Sequence, residues 1–168
     1  MTLITKLESH QVFVFGSNSS GFHGAGAAGL ACRGITANTW RTDEWFKRAM
    51  QSPEGHEYRR GKWAMYGVGR GFQEGTQGKS YAIVTVTKPG AKRSMPLPKI
   101  CQQLEELWDF MEKHPEWEFL LTPLGQGYAG YSADEMAVVW GAVVNKCGIR
   151  KNASFMGFDL PFENKNIT

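Results

Sequence analysis

The chain has little of what marks several common protein classes. Cysteine occurs only at Cys32, Cys101 and Cys147, an odd number with no CxxC pair. That excludes a disulfide framework, encodes no zinc or other metal site, and fits reduced thiols. No apolar run approaches the roughly 20 residues that span a bilayer, so no membrane partner is expected. The N-terminal MTLITKLESHQ lacks a basic n-region and an apolar h-region, which predicts a cytoplasmic protein. The phosphate-loop pattern GxxxxGK(S/T) is missing, and GFHGAG is not GxGxxG, so neither fingerprint applies and no cofactor is implied. Charge of one sign is scarce too. A formal net charge of +3 suits an anionic ligand but lacks the concentrated basic stripe of a nucleic-acid binder.

What is present reads as one globular domain over 1–168. Its 42% hydrophobic and 21% charged residues are an ordinary balance, and the length allows a proper core. The organising stretch is VFVFGSNSSGFHGAGAAGLA, Val12 to Ala31. Val12-Phe13-Val14-Phe15 is too short for a helix and fits a strand buried on both faces. The loop expected from Gly16 to Gly21 tolerates tight backbone. Gly24 and Gly26 then open a Gly/Ala-rich helix whose free amides and dipole could hold phosphate.

Further along, 40–78 is the least regular part. A short helix is expected over Thr42–Met50, with Asp43 and Glu44 in its first turn. Residues 57–63 (EYRRGKW) interleave basic and aromatic side chains, the one feature that could touch nucleic acid, although a solvated loop explains it as well. Glycines alternate through Gly67-Val68-Gly69-Arg70-Gly71, which either weakens a strand or admits a ligand. Ser80–Thr87 is a strand ended by Pro89-Gly90. Leu97–Lys113 is an amphipathic helix with Ile100, Leu104, Leu107, Trp108 and Met111 on one face and Gln102 and Gln103 off it. Glu118–Thr122 is a strand, followed by the Gly-rich 123–131. Ser132 and Glu135 make a capping box for a helix that Gly148 ends. Ala153–Phe158 is the last strand. Strands alternating with helices imply a largely parallel sheet covered on both faces, with ligands beyond its carboxyl edge. Both Gly-rich loops follow strands directly, so both would line that edge.

FGSN followed by HGAGAA, the segment GTQGKSYAI over 75–83, and LGQGYAGY over 124–131 together resemble a divergent branch of the macrodomains, the ADP-ribose-binding fold. The likeness covers Val12 to Ala31 and most of Gly75 to Phe158, and leaves 38–74 as an irregular insertion. It implies an α/β fold of three layers, α/β/α, with a mixed, largely parallel central sheet. It further implies ADP-ribose or a related small nucleotide as partner. On that pattern Gly16, Ser17, Asn18, Gly24, Ala25 and Gly26 form the first ligand loop, with Asn18 near the distal ribose. Gly125, Gln126, Gly127 and Tyr128 form the second, with Gln126 where that branch usually carries cysteine. Many macrodomains place an aspartate on adenine near the start of the fold. No counterpart precedes Gly16, and Asp159 would stand at the adenine end instead, with Phe158 or Phe162 stacking on the base.

Two functions stay open on these residues. One is a hydrolase of an ADP-ribose derivative, acting on a terminal phosphate or an ADP-ribosyl linkage, with Asn18 and His23 as the catalytic candidates. His23, the only titratable group inside either loop apart from the tyrosines, could serve as general acid or base, or merely bond phosphate or cap the helix. The other is a reader that binds without turnover, which the lack of an acidic residue in 123–131 favours. Nucleic acid is an unlikely third partner, and the sequence leaves the oligomeric state open.

Overall fold

The computed structural model describes residues 4–52 and 57–157. Its strands are β1 (Gln11–Asn18), β2 (Gly71–Glu74), β3 (Lys79–Val86), β4 (Glu118–Leu121) and β5 (Ala153–Phe155), in the order β2-β3-β1-β4-β5. β1 pairs in parallel with β3 on one side and β4 on the other; β5 continues the parallel set beyond β4. β2 pairs antiparallel with β3, so the sheet is mixed and largely parallel. Helices α1 (Gly26–Arg33) and α2 (Glu44–Gln51) cover one face, and α3 (Leu97–Lys113) and α4 (Ala133–Cys147) the other. This is the three-layer α/β/α architecture expected.

The unbroken apolar run of β1 follows from its position. Val12 and Val14 point into the cluster under α3 and α4, while Phe13 and Phe15 point into the cluster with Leu30, Phe46 and Trp63. Burying such a side chain stabilises by roughly 1.5–3 kcal/mol, more than an exposed ion pair such as Arg70–Glu106 contributes.

Several boundaries differ from the sequence reading. Gly16-Ser17-Asn18 is strand, because β3 runs alongside and pairs Gly16 with Ile83 and Ser17 with Val84, shifting register only before Asn18. β2 was not expected; it forms because Phe72 and Gln73 find register against Tyr81 and Ser80. Asp43 precedes α2 as its N-cap, accepting from the Trp45 amide at 2.8 Å. The expected bounds of α3 hold, but Gln103 lies on its buried face at 3% exposure. Its amide accepts from Val84 N at 2.7 Å and donates to Val84 O at 2.9 Å, so the side chain acts as a substitute strand. The capping box is present, with Glu135 N donating to Ser132 Oγ and Ser132 N to Glu135 Oε1, both at 3.0 Å. Phe158, Asp159 and Phe162 lie outside the described residues.

Candidate functional site

Three parallel strands, β1, β3 and β4, end side by side, and the backbone leaving each one is Gly- or Pro-rich. Between these exits lies a cavity of about 980 Å³, near the upper end of what small-molecule sites occupy. Every described residue of the expected site except His23 lines it: Gly16, Ser17, Asn18, Gly24, Ala25 and Gly26 from the first loop, and Gly125, Gln126, Gly127 and Tyr128 from the second. The two Gly-rich segments therefore do share one cavity.

Its walls are mostly apolar, and main-chain amides supply polar groups among them. α1 begins at Gly26 with no side-chain cap on Ala25 and no acidic residue in its first turn. Gly26 N is used by Thr36 O at 2.9 Å, whereas the amides of Ala27 and Ala28, which also line the cavity, donate to no backbone group among the described residues. On the second loop the amides of Gly125, Gln126 and Gly127 are equally unpaired with backbone among the described residues. Orphan amides at a helix start, with the dipole behind them, form an anion site. Gly26 adopts φ +62, and a Cβ there would sit 3.2 Å from the Tyr128 ring. The two loops thus come together at this point, with Tyr128 otherwise 68% exposed at the rim.

Asn18 reaches the cavity wall, and all of its amide but one N–H is engaged in the turn. Nδ2 donates to Phe22 O at 2.7 Å, and Oδ1 accepts from Ser20 Oγ at 2.8 Å and Phe22 N at 3.0 Å. Its role in the structure is to close the turn that carries the first loop toward Gly24.

His23 is a correction. It is wholly buried, outside the cavity lining, with its ring edge-on to Phe15 at 5.3 Å. Nε2–H donates to Val68 O at 2.9 Å, and Nδ1 has no partner among the described residues. Burial holds its pKa down to about 4, with the Val68 bond opposing only in part. A neutral imidazole facing the core neither exchanges protons with the cavity nor caps α1. The cause is the segment 65–73: Gln73 donates to the same Val68 carbonyl at 2.6 Å and accepts from Met65 N at 2.7 Å, forming a polar clamp beneath the loop. Gly69, the middle one of the alternating glycines, belongs to this packing. A side chain at Gly69 would overlap the Asn18 carbonyl oxygen, and one at Gly21 would overlap Val68 N.

The basic aromatic segment is also accounted for. Arg59 Nε donates to Tyr66 O at 3.0 Å, Arg60 Nη2 to Gly75 O at 3.0 Å, and Lys62 Nζ to Thr5 O at 2.5 Å. Lys79 begins β3, at the end of the strand opposite the cavity, and bonds the Ser9 carbonyl.

Sequence reasoning missed two walls. One is Thr36, Asn38 and Trp40, tied to the start of α1 through Gly26 N; that region has no periodicity to reveal it. The other is the turn after β3, whose Pro89 and Gly90 face the cavity. The Pro-Gly pair was legible as a strand stop, which is a local property, and its neighbours across the cavity were not. Among the described lining residues none carries a carboxylate, ammonium, guanidinium or imidazole group. No group of three or more His, Cys, Asp or Glu side chains among the described residues is placed to hold a metal ion. No described helix is long and apolar enough to cross a membrane.

Neither a family model nor a curated protein matches this chain. Among solved structures it is similar to a protein of unknown function from Bacteroides thetaiotaomicron, with a TM-score of 0.50 over 89% of this chain and 89% of that one. At 14% identity this likeness speaks to the fold alone.

Proposed function

We propose that the cavity binds ADP-ribose or a closely related nucleotide, with the diphosphate between the amides at the start of α1 and those of Gly125 to Gly127. The observation that carries this is that both loops line one cavity of nucleotide size and each contributes amides without a backbone partner among the described residues, at the carboxyl edge where α/β sheets take ligands. The sequence resemblance of both loops to macrodomains supports the choice of ligand.

Binding without turnover is the reading the lining favours. With His23 withdrawn into the core, the Tyr128 phenol is the one ionisable side chain among the described lining residues, so a general acid or base that titrates near neutrality is missing there. Hydrolysis of an ADP-ribosyl phosphate or linkage is the second reading. Asn18, at the tip of β1 and on the cavity wall, is the observation for it, since fixed dipoles can position a water.

A thermal-shift panel of ADP-ribose, its 1″-phosphate, NAD and AMP tests binding. A bound ligand at a hundredfold excess over Kd adds about 2.7 kcal/mol of apparent stability. No shift with any of the four overturns the reading. Product release from ADP-ribose 1″-phosphate and from ADP-ribosylated protein then separates reader from hydrolase.

A further inference from the structure

Arg93 is the one non-glycine residue with positive φ, +55, among those described. It stands in the turn 87–95, outside both Gly-rich loops, and its contacts go to the second of them and to the start of α4. Its amide donates to Ala129 O at 2.7 Å, and Nη1 reaches Gly130 O at 3.3 Å. The guanidinium grips Glu135 with both nitrogens, at 2.9 and 2.7 Å, and lies 4.6 Å over the Tyr131 ring. Glu135 is also the capping-box residue of α4. Two further bonds seal the turn: Tyr131 Oη–H to Met95 O at 2.5 Å, and Thr87 N to Ser94 Oγ at 2.9 Å. Gly130 packs closely on the same turn, since a Cβ there would lie 3.0 Å from that of Lys92.

We propose that Arg93 is a positioning residue for ligand binding: it locks the turn 87–95 to the second loop and to α4, and thereby holds the amides of Gly125 to Gly127 opposite α1. The proposal rests on the binding function proposed above. The same turn supplies Pro89 and Gly90 to the cavity wall, so Arg93 ties two walls of the site together from the solvent side without touching the ligand. A left-handed arginine is unfavourable unless its surroundings over-determine it. Here the backbone N–H is held by Ala129 O, and the bidentate pair fixes the side chain. A loop containing Gly125, Gly127 and Gly130 would otherwise sample many conformations. Holding it in one lowers the ordering cost of binding.

The test uses Arg93→Gly, which relieves the positive φ and removes the guanidinium, and Arg93→Lys, which keeps the charge and loses the fork. Glu135→Gln joins them, since glutamine still serves a capping box. Two readouts are taken on the full chain. Hydrogen exchange without ligand follows the amides of Ala129, Gly130 and Tyr131, which are bonded within the loop, against those of β1 and α4. Calorimetry follows ADP-ribose.

Arg93→Gly and Glu135→Gln are expected to speed exchange at the three loop amides selectively. A loop in its binding geometry a tenth of the time weakens apparent affinity about tenfold. Arg93→Lys should recover part of both effects, and the double variant should lose less than the two singles combined. Loop exchange and affinity both equal to wild type overturn the proposal. So does exchange that rises equally in β1 and α4, which would make Arg93 a general stability residue. If wild type binds none of the nucleotides, the functional reading fails, and loop exchange alone still judges the clamp.

Discussion

Because His23 is held neutral in the core, acid should selectively destabilise the platform under the first loop. The perturbation is pH, read against His23→Gln, which cannot gain a proton. In the unfolded chain the imidazole titrates near 6.5, and in the folded chain near 4. Between those values the unfolded state binds more protons, so stability rises with pH. The wild-type contribution is fully present above pH 6.5 and drains away as pH falls toward 4. A separation of that size corresponds to about 2 kcal/mol lost near pH 5 and about 3 kcal/mol by pH 4. Other groups contribute to the acid response, among them Glu118, whose carboxyl is held low by its bond from Gln11. They are common to both proteins and cancel in the difference. Urea unfolding of each at neutral pH and at two acid points therefore gives a wild-type advantage that shrinks as pH falls. The His23 ring-proton shift by NMR should show no midpoint near 6.5 in the folded state. A pH-independent stability difference, or a folded-state midpoint near 6.5, would refute the placement of His23 and reopen its candidacy as a general acid or base.

Other expectations follow from individual contacts. Gly26→Ala forces a side chain into a left-handed position, at about 1–2 kcal/mol, and brings a methyl against the Tyr128 ring; calorimetry should show ADP-ribose affinity lost in a folded protein. Gln103→Leu strips Val84 N and O of their partner, and an unsatisfied buried group costs about 1–3 kcal/mol; the unfolding free energy from urea titration should fall by that amount, and an unchanged value would show that water replaces the amide. Replacing Arg59, Arg60 and Lys62 with Ser should lower the melting temperature, because all three bond backbone carbonyls, while any nucleic-acid binding keeps its salt slope; a slope reduced by about two to three units would instead reveal phosphate contacts.

Much of the framework was legible because it is written locally. The apolar run at Val12–Phe15, the period of Leu97–Lys113 and the Ser132–Glu135 box depend on neighbours within a few residues, and pattern suffices to read them. The convergence of the two Gly-rich loops was legible too, since parallel strands joined by right-handed crossovers put both exits on one edge. Tertiary structure decided what depends on a distant partner. Gly16 to Asn18 became strand because β3 offers a ladder there. Gln103 turned inward because Val84 had unpaired backbone groups to satisfy. His23, which sequence alone placed beside the ligand, was taken into the core by the carbonyl of Val68, a residue 45 positions away. Arg93 is the same case seen from the surface: a basic residue in a turn carries no local mark of the loop it holds. Periodicity records which face of an element is apolar, whereas the pairing of one polar group with another across the fold leaves no trace until the chain has closed on itself.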